Sequence, residues 1–458
     1  MTRQLQPAVE MNVGTPMRQF RCTPVALGNG EKGLLVIFSR CAEDDPYHRM
    51  FFLPSDTLKL ALFSSRGERL WLRDLGPGVI PGVWFCPVFV FDLDGDGVDE
   101  IWLVGNPDRD HPFNHSAFVL ERLSGTDGRT LDTRPWPPPD DEDLPMTELY
   151  RYFIVGGHSK GRPRLILAQG TYGAMKLQCF DATMELLWTR RVPVWMKRFK
   201  WGARGSHMSP VVDINGDGRD ELLWGERCID LDTGRELWVA DRWRWRGHSD
   251  IVQPTLNGSS GQWFVYTCRE AKPPRGGVVL YDNHGREIWG RRGLGHMDMG
   301  WTARLGADGE HLAYALEVGT KSAGPGGVRR ADYNEYLFDM RGNPVQSPMP
   351  LYTSIPVDFD GDGRHELTYW GEGRRGLVVD RTDKPLFQLD GEPAYGGKLL
   401  DRPGEQIVTW SQDGIVRLYA CPEAEDSPDA LRRYAHPYYA ACMRLWAVGY
   451  NRCNLGGL

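Results

Sequence analysis

CIDLDTGRELWV, residues 228–239, is an apolar strand, a polar turn built on Asp232, Thr233 and Gly234, and a second strand ending on the aromatic anchor Trp238. Glycine allows the left-handed backbone of a tight hairpin, and apolar residues on either side suit strands with a buried face. The unit recurs. LALFSSRGERLWL begins at Leu60, FVLERLSGTDGRTL at Phe118, LQCFDATMELLW at Leu177 and VVLYDNHGREIW at Val278. YLFDMRGNPV follows at Tyr336, LVVDRTDKPLF at Leu377 and VRLYA at Val416. Copies spaced roughly 40 to 60 residues apart match the period of propeller blades with four strands each. No amphipathic helical segments separate them, which disfavours a parallel α/β sheet. The expected fold is all-β, an eight-bladed β-propeller with calcium-binding DxDGDGxxE loops. It fills residues 1–458 as a single domain, with 1–82 giving the first blade and ring closure and 83–458 the remaining blades. One helix is predicted at Ser427–Tyr434, where serine offers an N-cap and proline follows it, and Pro135–Pro145 reads as an exposed loop.

Composition narrows the function. A net charge of -7 argues against a nucleic-acid partner, which needs a basic surface. The first twenty residues hold no apolar signal region, and no run of about 18 apolar residues occurs, so neither a membrane span nor a secretion signal is read. Nine cysteines without a CxxC pair look like scattered thiols, which favours the cytoplasm; removal of a leader would give the same appearance for a secreted chain. A monomer is expected. Seventeen tryptophans leave flat faces for packing or for stacking on sugars.

Three segments carry the clearest chemistry. They are Asp92-Leu-Asp94-Gly-Asp96-Gly-Val-Asp-Glu100, Asp213-Ile-Asn215-Gly-Asp217-Gly-Arg-Asp-Glu221 and Asp358-Phe-Asp360-Gly-Asp362-Gly-Arg-His-Glu366. Oxygen donors at the first, third, fifth and ninth positions can wrap a hard cation, and Ca2+ is the expected occupant. Strands flank these loops, so they are read as staples of blades rather than helix-loop-helix hands. Degenerate copies at Gly306–His311 and Asp401–Gln406 lack the ladder of carboxylates.

A second constellation joins His207 in GSHMSPVVD, His248 and Asp250 in RGHSD, and Glu270 in YTCRE. Equivalent ends of neighbouring blades face the same end of a propeller channel, so these residues are expected to share one ion. His296, in Gly295-His-Met-Asp298, echoes the Gly-His-Ser-Asp turn. At these motifs the chain resembles the family 11 polysaccharide lyases, the rhamnogalacturonan lyases, whose pattern is His-Asn before a calcium loop, a Gly-His-Gly-Asp turn and a strand ending in His-Glu. Arg151–Asp181, the segment EIWGRRGLGHMDMGWTARLGAD, and VRLYA through RRYAHPYYAACMRLWAVGYNRCNLGGL continue the likeness in order.

The resemblance implies a polysaccharide lyase that binds an acidic polysaccharide or oligosaccharide and cleaves it beside a uronate by β-elimination. It assigns catalysis to Lys398 and Tyr450, which match the family's lysine and carboxyl-terminal tyrosine, and to Arg304, the nearest substitute for a family arginine that falls on Trp301. Substrate contacts are expected from Arg151, Tyr172, His296 and Trp301. The basic and aromatic stretch Arg190–Arg204 and Trp243 to Trp245 offer a further surface for an anionic sugar chain. Two other readings stay open: a non-catalytic calcium-stabilised carbohydrate-binding propeller, and a quinone-cofactor dehydrogenase suggested by the tryptophan-docking look of Asp232–Trp238.

Overall fold

Each copy of the repeat folds into the outer half of a sheet. The structure, a computed structural model, describes residues 2–140, 144–192, 202–258, 260–324 and 327–458. Among them the strands form eight sheets. Sheets of residues 19–74, 88–135, 152–192, 211–239, 249–292, 297–339, 354–388 and 392–419 follow one another along the chain and are called blades one to eight. Inner strands such as Val88–Phe91 and Ser249–Leu256 are buried almost throughout. In six blades the copy quoted above supplies the third and fourth strands.

Two blades are completed from the other end of the chain. Val9–Asn12 pairs antiparallel with Ile415–Tyr419 as the outer strand of blade eight, Val9 opposite Leu418. Arg3–Gln4 adds a short parallel strand outside blade seven, Arg3 opposite Phe387.

Neighbouring blades are latched by tryptophan. Indole nitrogens of Trp71, Trp188, Trp238 and Trp289 donate to the carbonyls of Gly125, Leu231, Asn283 and Met340 at 2.9–3.1 Å, each in the next blade. Each ring lies flat on a turn glycine, as Trp188 does on Gly234, whose φ is 68°. A Cβ on Gly234 would meet that indole at 2.6 Å, so the position needs glycine for space as well as for backbone. The docking look of Asp232–Trp238 is thus a latch repeated around much of the ring.

The inner strands share a direction, which gives the ring two unlike ends. The three acidic loops follow Val88–Phe91, Val211–Val212 and Ser354–Val357, at the carboxyl-terminal ends of inner strands. Helices Pro428–Ala435 and Pro437–Arg444 pack beside the third loop, the first capped by Ser427 as predicted. From there the tail enters the middle of the ring. Arg21 of blade one donates to the Ala447 carbonyl at 2.9 Å, Asn451 to that of Asp250 at 2.7 Å, and Leu256 to that of Gly457 at 2.7 Å. Tyr450 therefore reaches the opposite end of the ring from the helices that precede it.

Candidate active site

The amino-terminal ends of the inner strands of blades four to six meet at one place. His207 lies just ahead of Val211–Val212, His248 and Asp250 open Ser249–Leu256, and Glu270 follows the antiparallel neighbour Trp263–Arg269. One donor atom from each lies within 4.8 Å of the others. His207 Nδ1 and His248 Nε2 stand 3.4 and 3.3 Å from Asp250 Oδ1, and Glu270 Oε2 lies against His248 Nε2. His296 joins from blade six, 3.4 Å from Glu270 and 3.2 Å from Asp298.

The heart of the cluster is buried. His207, His248 and Asp250 are 5%, 7% and 1% exposed. His207 Nδ1, His248 Nε2, His296 Nε2 and both Asp250 carboxylate oxygens are buried, and among the described residues they meet one another and the carboxylates of Glu270 and Asp298 in contacts that fall outside hydrogen-bond geometry. Leaving one such group unsatisfied costs about 1–3 kcal/mol, so several converging on one point fit a cation that would answer them together. Burial, with His248 beside it, holds His207 well below the usual histidine range, so its ring is neutral and available as a ligand. Burial pulls on His296 too, but Asp250 and Asp298 outweigh it and raise it to about 10.

Aromatic and cationic groups wall the cluster. Tyr172 OH sits 2.7 Å from His207 Nε2, its ring edge-on to His248. Arg151 lies over the rings of Trp84 and Tyr172 and donates to Asp45 at 3.0 Å. Tyr450 donates its N–H to the His207 carbonyl at 2.9 Å and sets its ring 5.3 Å from that imidazole. Burial pushes its phenol up to about 12, with Lys321 and Arg330 pulling the other way.

Several expected residues are elsewhere. Lys398 and Arg304 immediately follow the inner strands Glu392–Gly397 and Met297–Ala303, so they lie at the far end of the ring. Asp298 and Arg304 sit six positions apart on one extended strand, about 20 Å at 3.3 Å per residue. The Lys398 ammonium is held by Asp426 at 2.8 Å and lies over Tyr434. Arg304 donates to the Gly309 carbonyl at 3.0 Å and faces Asp429 at 3.3 Å. The expectation that Lys398 shares a pocket with the histidine cluster is therefore corrected, and Arg304 with it. Trp301 is 5% exposed and packs on Tyr314, while also lining the cavity shared by Arg330, Tyr450 and Asn451. Trp243 is exposed, whereas residues 193–201 of the Arg190–Arg204 stretch lie outside the described residues. Sequence reasoning missed Asp298, Lys321 and Arg330; the clue was the run of basic residues in TKSAGPGGVRR, which matches no blade copy.

The acidic loops differ in how their charge is met. In the first, Asp92 accepts from the N–H groups of Gly95, Asp96 and Gly97, and Arg122 reaches Asp94 and Glu100. In the third, Arg433 holds Asp358 at 2.7 Å and Glu405, from the degenerate Asp401–Gln406 copy, at 3.0 Å. Donor oxygens of Asp92, Asp94 and Asp96, and of Asp358, Asp360 and Glu366, lie within 4.8 Å of one another, as a cation site requires. The second loop has Asn215 in the ladder. Burial, with Asp217 and Asp213 adding, pushes Glu221 up to about 8.

Comparison with known proteins bears on the family and the fold. A family model described as rhamnogalacturonan lyase family 11, C-terminal domain, matches residues 153–384. The chain is 23% identical over 449 residues to the rhamnogalacturonan exolyase YesX of Bacillus subtilis (strain 168), covering 86% of this chain and 69% of that protein. It is 24% identical over 398 residues to the rhamnogalacturonan endolyase YesW of the same organism, covering 77% of this chain and 60% of YesW. The crystal structure of the exotype rhamnogalacturonan lyase YesX superposes with a TM-score of 0.80 at 19% identity, over 97% of this chain and 81% of that one, and shares its fold.

Proposed function

The chain belongs to rhamnogalacturonan lyase family 11, and on that premise we propose that it cleaves rhamnogalacturonan by β-elimination at the histidine cluster, as a carbon–oxygen lyase acting on a polysaccharide. The reaction breaks the C5–H and C4–O bonds, forms the C4=C5 double bond and returns a proton to the leaving oxygen. Tyr450 is the residue assigned to proton transfer. Its phenol is the titratable group that the tail delivers to the cluster, and at about 12 it keeps its proton near neutrality, gives it to the leaving oxygen and takes the C5 proton in the same syn step, so that it ends as it began. His207, His248, Asp250 and Glu270 would hold a divalent cation, which when bound neutralises the uronate carboxylate and so acidifies the C5 proton. Arg151 and Tyr172 form the wall against which the sugar lies. We infer calcium for the three oxygen-rich loops, since carboxylates in that ladder suit a hard cation. With nine unpaired cysteines, seven of them buried, we place the protein in a reducing compartment.

The observation that carries this reading is the buried convergence of donor atoms from His207, His248, Asp250 and Glu270 beside Tyr450. Incubation with rhamnogalacturonan and calcium, followed by ultraviolet absorbance, should reveal unsaturated products that a chelator abolishes. A protein that binds the polymer and releases no such product is a carbohydrate-binding propeller instead.

A further inference from the structure

Blade six departs from its neighbours in the length of its hairpin. Leu312–Gly324 and Gly327–Asp339 run 13 residues each, whereas the longest other described strand has 10. Pairing holds one register from Leu312 opposite Asp339 to Gly324 opposite Gly327, yet skips Gly319 and Asp332. There Asp332 takes a left-handed φ of 53°, and a Cβ at position 319 would meet its carbonyl oxygen at 2.5 Å. A left-handed residue facing a required glycine breaks the pleat without changing the register, so the outer part of the hairpin can turn out of the blade.

Beyond that break Lys321 stands opposite Arg330. Both side chains reach Asp298 at the start of the blade's inner strand, Lys321 Nζ at 2.8 Å and Arg330 through its Nε. Lys321 Nζ also lies 5.5 Å from the centre of the Tyr450 ring, and Arg330 lines a cavity of about 190 Å³ together with Tyr450 and Asn451. Burial alone would favour neutral Lys321, but Tyr450 and Asp298 more than offset it, so the ammonium stays charged and is no candidate base. Two cations on one carboxylate leave a positive charge beside the proton-transfer tyrosine, with His296 as the further cation on Asp298 and Asp250 and Glu270 as the nearby anions.

We propose that Lys321 and Arg330 are the clamp for the substrate's carboxylate, carried to the site by the kinked hairpin and held side by side by Asp298. The ligand class is a hexuronate residue within an oligosaccharide, a choice that rests on the lyase reading above. Paired donors recognise a carboxylate through short charge-assisted hydrogen bonds, and with Arg304 at the far end of the ring this hairpin brings a pair of cations to the side of Tyr450.

Binding of rhamnogalacturonan oligosaccharides should be measured by calorimetry beside the same oligosaccharides with their carboxyl groups reduced to alcohols. The wild type should prefer the acidic form by about tenfold, near 1.4 kcal/mol. Lys321→Ala with Arg330→Ala should erase that preference while leaving affinity for the reduced form unchanged, and Lys321→Arg should restore part of it in the single-variant background. Unchanged binding of the reduced form also shows that the double variant is folded. A folded double variant that keeps the preference overturns the clamp. If the wild type shows the preference but makes no unsaturated product, the lyase reading falls and the clamp stands; normal cleavage by the double variant sinks the clamp alone.

Discussion

The two ends of the inner strands are both rich in acid, and they handle it in opposite ways. At the carboxyl-terminal end the carboxylates of the first and third loops are tied by their own backbone N–H groups and by Arg122 and Arg433. At the amino-terminal end the donors come from different blades, and the Asp250 oxygens meet three histidine rings in contacts outside hydrogen-bond geometry. A loop that satisfies itself can be read as architecture; a buried carboxylate left unsatisfied by its neighbours is kept for something else. On this contrast rests our proposal of chemistry at one end and stapling at the other.

The most severe way to test this division is Tyr450→Phe, which removes one oxygen and keeps the ring against Trp84 and His207. Lyase turnover should fall about a thousandfold, within the range for losing a general acid, while the melting temperature stays within a few degrees. A variant that retains turnover takes proton transfer away from Tyr450. Asp250→Asn should follow, with a loss of about a hundredfold, since outer partners of metal sites already cost 10- to 100-fold. Its check is the calcium or metal content of the purified variant beside its rate.

A third test uses pH to separate the ends. Burial raises Glu100 from 4.5 to about 7 and Glu221 from 4.5 to about 8. Between the unfolded and folded values the native state binds more protons than the unfolded one, so stability falls as pH rises from about 4.5 to about 8. In chelator the melting temperature should therefore be higher at about pH 5 than at about pH 8. Saturating calcium requires ionised carboxylates and should reverse that order. Equal values with and without calcium would remove the ion from the loops.

Lys398→Ala is the mildest. It breaks a partly exposed pair with Asp426, so it should lower the melting temperature by no more than a few degrees and leave turnover unchanged. Loss of turnover here would restore Lys398 to catalysis and erase the division between the ends.

How much of this was legible follows from how local each signal is. A blade copy is about a dozen residues of strand, turn and strand, and the acidic loops are nine-residue ladders, so both stand whole in the sequence. His207, His248, Asp250 and Glu270 could be joined because each sits near the start or finish of a predicted strand. Lys398 and Arg304 were misplaced because a residue at the finish of an inner strand looks, in sequence, much like one at its start; only the strand's direction through the ring separates them. Lys321 and Arg330 depend on a hairpin longer than any repeat unit and on a break at Gly319 and Asp332, which no periodicity announces.

The pairing of Val9–Asn12 with Ile415–Tyr419 also sets an order of events. A ribosome makes the outer strand of blade eight more than four hundred residues before its partner, so that strand must wait, unpaired, until nearly all of the chain has emerged. Blades one to six each draw their strands from one local stretch and can form as they are made, and blade seven takes only the short Arg3–Gln4 strand from far away. Closing the ring is therefore the one pairing of highest sequence separation and the slowest to be reached. Until it happens, the edges left at residues 9–12 and 415–419 are the part of the newborn protein most exposed to pairing with the wrong strand.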